Sequence, residues 1–404
     1  MRKGFFAYPW DLMDEGVEVA LQNMAGRCGC NAIALTASYH SGRIFRPRIS
    51  GPKIYVRPGA AVAFTPQPKH YEASTPLPIA EKRVAEAHVL EQTRKWCEKE
   101  GMDFGLWTVG LHNSNLGSTH PELCMRNCFG DVYNYILCPS NPRTRAYLRG
   151  LIADICDQFR PQRILLETAN FLGMLHWVHH EKFPSTIGEA EASLSFLCFC
   201  PDCLARATQL GLDGEAVRQQ VARWMEAFLN DERGALPATF TVADIPALLV
   251  ESPALYGYVQ MRTEVTATLV REVKDVAASF GTRLEIMPAA FGQPVSRAWR
   301  EGISLRRLAE ASDALLPLSY FADPKEVQAD LRWTKLLSGG APFDVGLSAC
   351  HPFATSADDL AAKVAICMKE GAGGVYYYNY GMLTNERLDW VACANAQDTC
   401  HKSC

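Results

Sequence analysis

Short apolar runs recur along the chain, and most are followed by a stretch whose apolar positions fall at helical spacing. Phe5–Trp10 opens the series and precedes a helix-like segment over Gly16–Cys28. Asn31–Ser38, Asp103–Leu111 and Arg163–Ala169 are the next runs, and Arg283–Ala289, Asp313–Ser319, Phe343–Ala349 and Gly373–Asn379 complete the set. Between them, Glu81–Glu100, Arg143–Gln158, Pro253–Phe280 and Thr384–Ala396 read as helices. Strands apolar on both faces belong to a parallel sheet covered by helices. Eight strand-then-helix units therefore predict an α/β fold, a (β/α)8 TIM barrel. No G-x-G-x-x-G turn follows the first run, which argues against an open doubly wound sheet.

Three connections are long, those after strands two, three and four. Residues 39–80 are rich in Pro, Gly and aromatics, a polar loop runs on to about Asn141, and residues 170–250 are mostly helical. One barrel domain is expected over residues 1–404, with 170–250 as its helical insertion.

Composition narrows the class. Hydrophobic residues make up 48% and charged residues 21%, enough apolar material for a large core. The net charge of −4, without a long run of one sign, gives no nucleic-acid surface. No apolar run approaches ~20 residues, so no membrane span is expected. Pro9 and Asp11 interrupt the first apolar stretch, which reads as structure rather than as a leader. The fifteen cysteines are odd in number and scattered, unlike a disulfide framework. The expectation is a cytoplasmic chain that uses some thiols for metal.

Cys198, Cys200 and Cys203 stand as C-F-C-P-D-C, a spacing that can wrap one tetrahedral ion. Cys138, in L-C-P-S-N-P-R, is the expected fourth ligand, because the loops after strands three and four are neighbours in a barrel. Four thiolates leave no open position, so the site is read as a structural zinc. Buried thiols in a helical hairpin are the other reading.

The pairing of C-P-S-N-P-x-x-R (Cys138–Arg145) with C-x-C-x-x-C resembles the family 42 glycoside hydrolases, the zinc-carrying β-galactosidases. Y-P-W-D…D-E-G near the start and G-A-G-G-V-Y-Y-Y-N-Y-G near the end are similar to that broad group of sugar-cleaving barrels. The resemblance implies one zinc on the cysteines, an acid/base Glu after strand four, a nucleophilic Glu on strand seven, and a homo-oligomer.

Barrel chemistry sits at the C-terminal ends of the strands. Those ends offer Tyr8, Trp10 and Asp11, then Ser38, Tyr39, His40 and Arg43. They continue with His112, Asn113, Asn170, Tyr320, His351, Tyr378 and Asn379. Aromatic rings with polar tips and amides suit a polyhydroxylated ligand. His176, His179, His180 and Glu181 follow strand four as H-W-V-H-H-E, with His179 and His180 expected to contact sugar or wall the cleft.

Alternation in R-I-L-L-E-T-A puts Glu167 on the lumen face with Leu165. A carboxyl there needs a partner or a job. Its place matches the family's acid/base, although that family has Asn-Glu and this chain Leu-Glu. Strand seven has no Glu, so Glu285 on strand five is the first candidate for the second catalytic carboxylate, ahead of Asp11 and Glu181, although a salt bridge in the lumen is the stronger reading of Glu285 itself. The function expected is a glycoside hydrolase acting on a glycoside or uronide. A sugar lyase or isomerase on the same barrel, or a catalytically silent carbohydrate-binding barrel, are the alternatives.

Overall fold

The computed structural model describes residues 1–174, 187–230, 241–289 and 293–400. Eight parallel strands make the central sheet. They are β1 (Arg2–Ala7), β2 (Ala32–Tyr39), β3 (Asp103–Val109) and β4 (Arg163–Glu167), then β5 (Arg283–Ile286), β6 (Ala314–Leu315), β7 (Val345–Ser348) and β8 (Gly374–Tyr378). Their order is β6-β5-β4-β3-β2-β1-β8-β7. Parallel bridges Leu315–Phe343 and Leu318–Gly346 join the two ends, with Leu315 N donating to Pro342 O at 3.0 Å and Gly346 N to Pro317 O at 2.9 Å. The curled sheet is that of an α/β barrel.

Where strand bounds depart from the apolar runs, the chain carries a local reason. The first run is expected to continue to Trp10, but Pro9 opens a helix over Pro9–Glu15, where a missing N–H costs nothing. The Asp313–Ser319 run contains Pro317, which cannot donate to a ladder, and β6 is correspondingly short. β4 ends at Glu167 because Thr168 turns to φ 56°, outside the strand region.

The helices around the sheet are fixed by caps and buried stripes. Asn141 caps Pro142–Phe159 by accepting from the amides of Arg143 and Thr144. Ser252 caps Pro253–Ser279, which buries Tyr258, Val265, Leu269 and Val273. Arg145 (2.6 Å) and Arg149 (2.8 Å) of the first helix both reach Glu272 of the second. No helix among the described residues is long and apolar enough to cross a membrane.

The lumen is layered. In the middle layer, a Cβ on Gly4 would come within 2.8 Å of the Tyr376 ring, and one on Gly105 within 2.7 Å of Leu165. Only glycine lets these large side chains fill the centre. The floor is charged. Arg163 pairs with Glu285 and with Asp103 (2.9 Å from Nε), and Arg2 grips Asp344 with contacts of 2.7 to 3.0 Å. Arg2 also stands 3.7 Å from Glu285, which is fully buried.

A buried charge left without its partner is costly. Arg163→Met should therefore lower unfolding stability by about 3–5 kcal/mol, read by denaturant melts. Adding Glu285→Met should recover part of the loss. An unchanged midpoint for Arg163→Met would show that the floor network is not structural.

Candidate active site

A cavity of about 630 Å³ opens at the C-terminal end of the strands. Its walls are aromatic: Phe6 of β1, Tyr39 of β2, Trp107 of β3, Tyr320 after β6 and Tyr378 of β8. Met287, Leu318 and Leu172 add apolar surface. Over one side lies an antiparallel hairpin, Gly42–Phe45 with Ile54–Arg57, which contributes Arg43, Val56 and Arg57.

The rings are held by one another. The Tyr8 hydroxyl donates to that of Tyr39 at 2.8 Å and lies 2.9 Å from that of Tyr378. Tyr8 stacks on Trp10 at 4.6 Å, and Trp10 on Tyr55 of the hairpin at 4.7 Å. Tyr39, His40 and His112 form a second stack, with centroid spacings of 4.1 and 4.5 Å. The hairpin is thus tied to the barrel by ring contact, and rings so packed are rigid surfaces for a ligand.

Glu167 is the one carboxyl among the described residues that line this cavity. Its backbone stays in register with the loop after β3, since Gly110 N donates to its carbonyl at 2.8 Å and Leu111 N to that of Thr168 at 2.8 Å. The indole of Trp107 donates to Glu167 Oε2 at 2.7 Å. Burial pushes its pKa up to about 7, and the indole bond holds it from rising further. Thr168, a β-branched residue at φ 56°, follows it directly, and such backbone strain gathers at functional sites.

The other expected residues divide. His40, Arg43, His112, Tyr320 and Tyr378 line the cavity with Glu167. Tyr8 and Trp10 lie behind the wall as its support. Asn113 caps a short helix by accepting from Leu116 N (3.0 Å) and donates to Tyr147 (3.2 Å). Asn170 donates to Glu301 at 2.7 Å, and Asn379 accepts from Gly381 N at 3.3 Å. His351 is exposed and does not line the cavity. Asp11 is fully buried 3.5 Å from Arg46, its pKa pushed to about 7 by burial, and it too is off the cavity wall. His176, His179, His180 and Glu181 lie outside the described residues.

Glu285 requires a correction. It faces the lumen as alternation requires, but its height on β5 puts it on the floor, clasped by Arg163 and Arg2, and it does not line the cavity. The salt-bridge reading holds for it. Sequence reasoning missed Phe6, Trp107 and Arg57. Trp107 had a signal, since it stands two residues before the end of its strand, but a Trp in an apolar run reads first as core.

The four cysteines do meet. Cys138 precedes helix Pro142–Phe159, Cys198 and Cys200 lead into helix Pro201–Gln209, and Cys203 lies in its first turn. All four are buried, with ligand atoms within 4.8 Å of one another. Cys138 Sγ is 3.5 Å from the sulfurs of Cys200 and Cys203 and 3.8 Å from that of Cys198. A tetrahedron with metal–sulfur bonds of ~2.3 Å has edges of about 3.8 Å, so the donor set fits such an ion. The Arg126 amide points at Cys198 Sγ (3.4 Å), a bond that favours the thiolate.

Neither a family model nor a curated protein sequence matches the chain. Solved structures do. The glycoside hydrolase domain of PgaB (BpsB) from Bordetella bronchiseptica superposes with a TM-score of 0.59 at 13% identity, over 98% of this chain and 97% of that one. A β-galactosidase from the psychrophilic Marinomonas ef1 gives 0.58 at 11%, over 99% of this chain and 60% of its own. The catalytic domain of a β-amylase from Paenibacillus polymyxa gives 0.53 at 12%, over 96% and 94%. This chain therefore spans less than two thirds of that β-galactosidase. At such identities the likeness is one of fold alone, the barrel this chain shares with these three structures.

Trp107→Phe removes the indole donor and leaves the ring. Glu167 should then titrate at higher pH, which difference infrared spectroscopy of its carboxyl can follow. Titration at the wild-type pH would show that the indole bond does not tune this group.

Proposed function

We propose that the chain is a glycoside hydrolase in which Glu167 protonates the departing glycosidic oxygen. The observation that carries this reading is a buried carboxyl, raised to about 7 and the one carboxyl among the described lining residues, in an aromatic cavity at the mouth of the barrel. A general acid must hold its proton near neutral pH, and burial supplies that. The aromatic walls would stack on the C–H faces of a sugar ring. Structural likeness to glycoside hydrolases supports the class, and the paired cysteine motifs support a family 42-like ancestry.

One carboxyl among the described lining residues is fewer than the usual pair. That observation favours a second reading, a sugar lyase or isomerase in which Glu167 takes a proton, since a group near neutrality serves either role. Product analysis separates the two, because hydrolysis releases a reducing sugar and elimination leaves an unsaturated one.

Glu167→Gln keeps the shape and removes the proton, so hydrolysis should slow on the order of 10²–10⁴ for poor leaving groups and less for activated aryl glycosides. Glu167 is protonated below about 7, so wild-type activity should fall as pH rises through about 7. The facing phenols of Tyr39, Tyr320 and Tyr378 are raised by burial and stay protonated there. His40, His112 and Arg43 also line the cavity, so the test is whether this limb disappears in Glu167→Gln. A limb that survives the substitution, or wild-type rates on both substrate classes, rules Glu167 out as the acid.

We propose further that the ion on Cys138, Cys198, Cys200 and Cys203 is a structural zinc. With four thiolates, zinc has no site left for water or substrate. Purified protein should carry about one zinc per chain, and Cys200→Ser should lower both zinc content and melting temperature. Zinc-free protein of unchanged stability, purified without chelator, would overturn the assignment.

A further inference from the structure

The charge of the cavity is lopsided. Its described lining holds two guanidinium groups, Arg43 and Arg57, two imidazoles and a single carboxyl. That carboxyl, its pKa raised to about 7 by burial, carries only part of its charge near neutrality. Arg57 is buried, paired with Glu81 behind the wall, and lies 5.2 Å over the Trp10 ring. Its charge is answered within the protein. Arg43 is different. It is exposed on the hairpin, opposite Val56 in register, and lines the same cavity. Among the described residues no carboxylate stands within salt-bridge distance of it, although the hairpin's other arginines, Arg46, Arg48 and Arg57, all have one.

A neutral sugar gives no reason for an unanswered cation at the rim. A guanidinium is a planar fork that matches a carboxylate or sulfate, and its charge-assisted bonds strengthen where a cavity excludes water. We propose that the cavity takes a sugar bearing an anionic group, a carboxylate or a sulfate ester, and that Arg43 binds that group at the rim. This rests on the reading of the cavity as a sugar site and names the class of sugar. Arg43 is assigned to recognition, since it and Glu167 line the same cavity.

The test is a titration of the full-length wild-type chain, Arg43→Ala and Arg43→Lys with methyl glycosides of both anomers. The panel holds glucuronides and galacturonides, the 6-sulfates of glucosides and galactosides, and the neutral parents. Wild type should prefer one anionic arm over its neutral parent by about tenfold or more, and Arg43→Ala should bring the two within about twofold. Arg43→Lys should keep only part of the preference, since an ammonium lacks the fork, and added salt should reduce it. Whichever arm is preferred, carboxylate or sulfate, identifies the group. Equal binding of neutral and anionic sugars, a preference that survives Arg43→Ala, or no binding of any sugar would each overturn the proposal. The two readings fail separately. Glu167-dependent hydrolysis of neutral glycosides without anionic preference sinks this inference and leaves the hydrolase. Arg43-dependent anionic binding with no hydrolysis of any glycoside does the reverse.

Discussion

Arg163 and Arg2 reach into the bottom of the barrel and meet Asp103, Glu285 and Asp344 there. These residues come from β3, β4, β5, β1 and the segment leading into β7, so one buried network ties together strands far apart in sequence. Each charge there is tolerable only because the others are present. The network also fills the lower lumen, and the cavity opens at the opposite end.

That division explains why two lumen carboxyls differ in role. Glu285 and Glu167 both face inward from neighbouring strands. Glu285 meets guanidinium groups at the floor, which work against the burial that pushes its pKa up. Glu167 meets an indole N–H and phenol rings at the mouth, and burial without a cation raises its pKa to about 7. Parity along a strand is the same for both. Height along the barrel axis decides what surrounds each, and surroundings decide protonation.

The connections add what the barrel lacks. The hairpin after β2 brings Arg43 and Arg57 over the cavity and is fastened by the stack of Tyr55 on Trp10. The segments after β3 and β4 meet at Cys138, Cys198, Cys200 and Cys203, whose sulfurs lie within 4.8 Å of one another. Arg126, which precedes Cys138, supports the same junction, since its carbonyl accepts from Phe199 N at 2.7 Å. Both junctions bring together elements that form no ladder with each other, one through stacked rings and one where four sulfurs gather.

Local pattern carried the architecture. Apolar runs at strand length, each with its helix, are a consequence of burial on both faces of a parallel sheet, and they are readable without knowing what packs where. The cysteine constellation was readable for a similar reason, since close ligand spacing is written in the chain and the fourth ligand follows from strand adjacency. Lumen parity placed Glu167 and Glu285 correctly on the inner face. What the chain could not show was depth and partnership. Asn113, Asn170 and Asn379 look like ligand contacts at strand ends, yet each is engaged by a neighbouring backbone or side chain. Trp107 reads as core and in fact orients the carboxyl. Such roles depend on which groups approach within about 3 Å across the fold, and those distances are set by tertiary packing between segments that no sequence period relates.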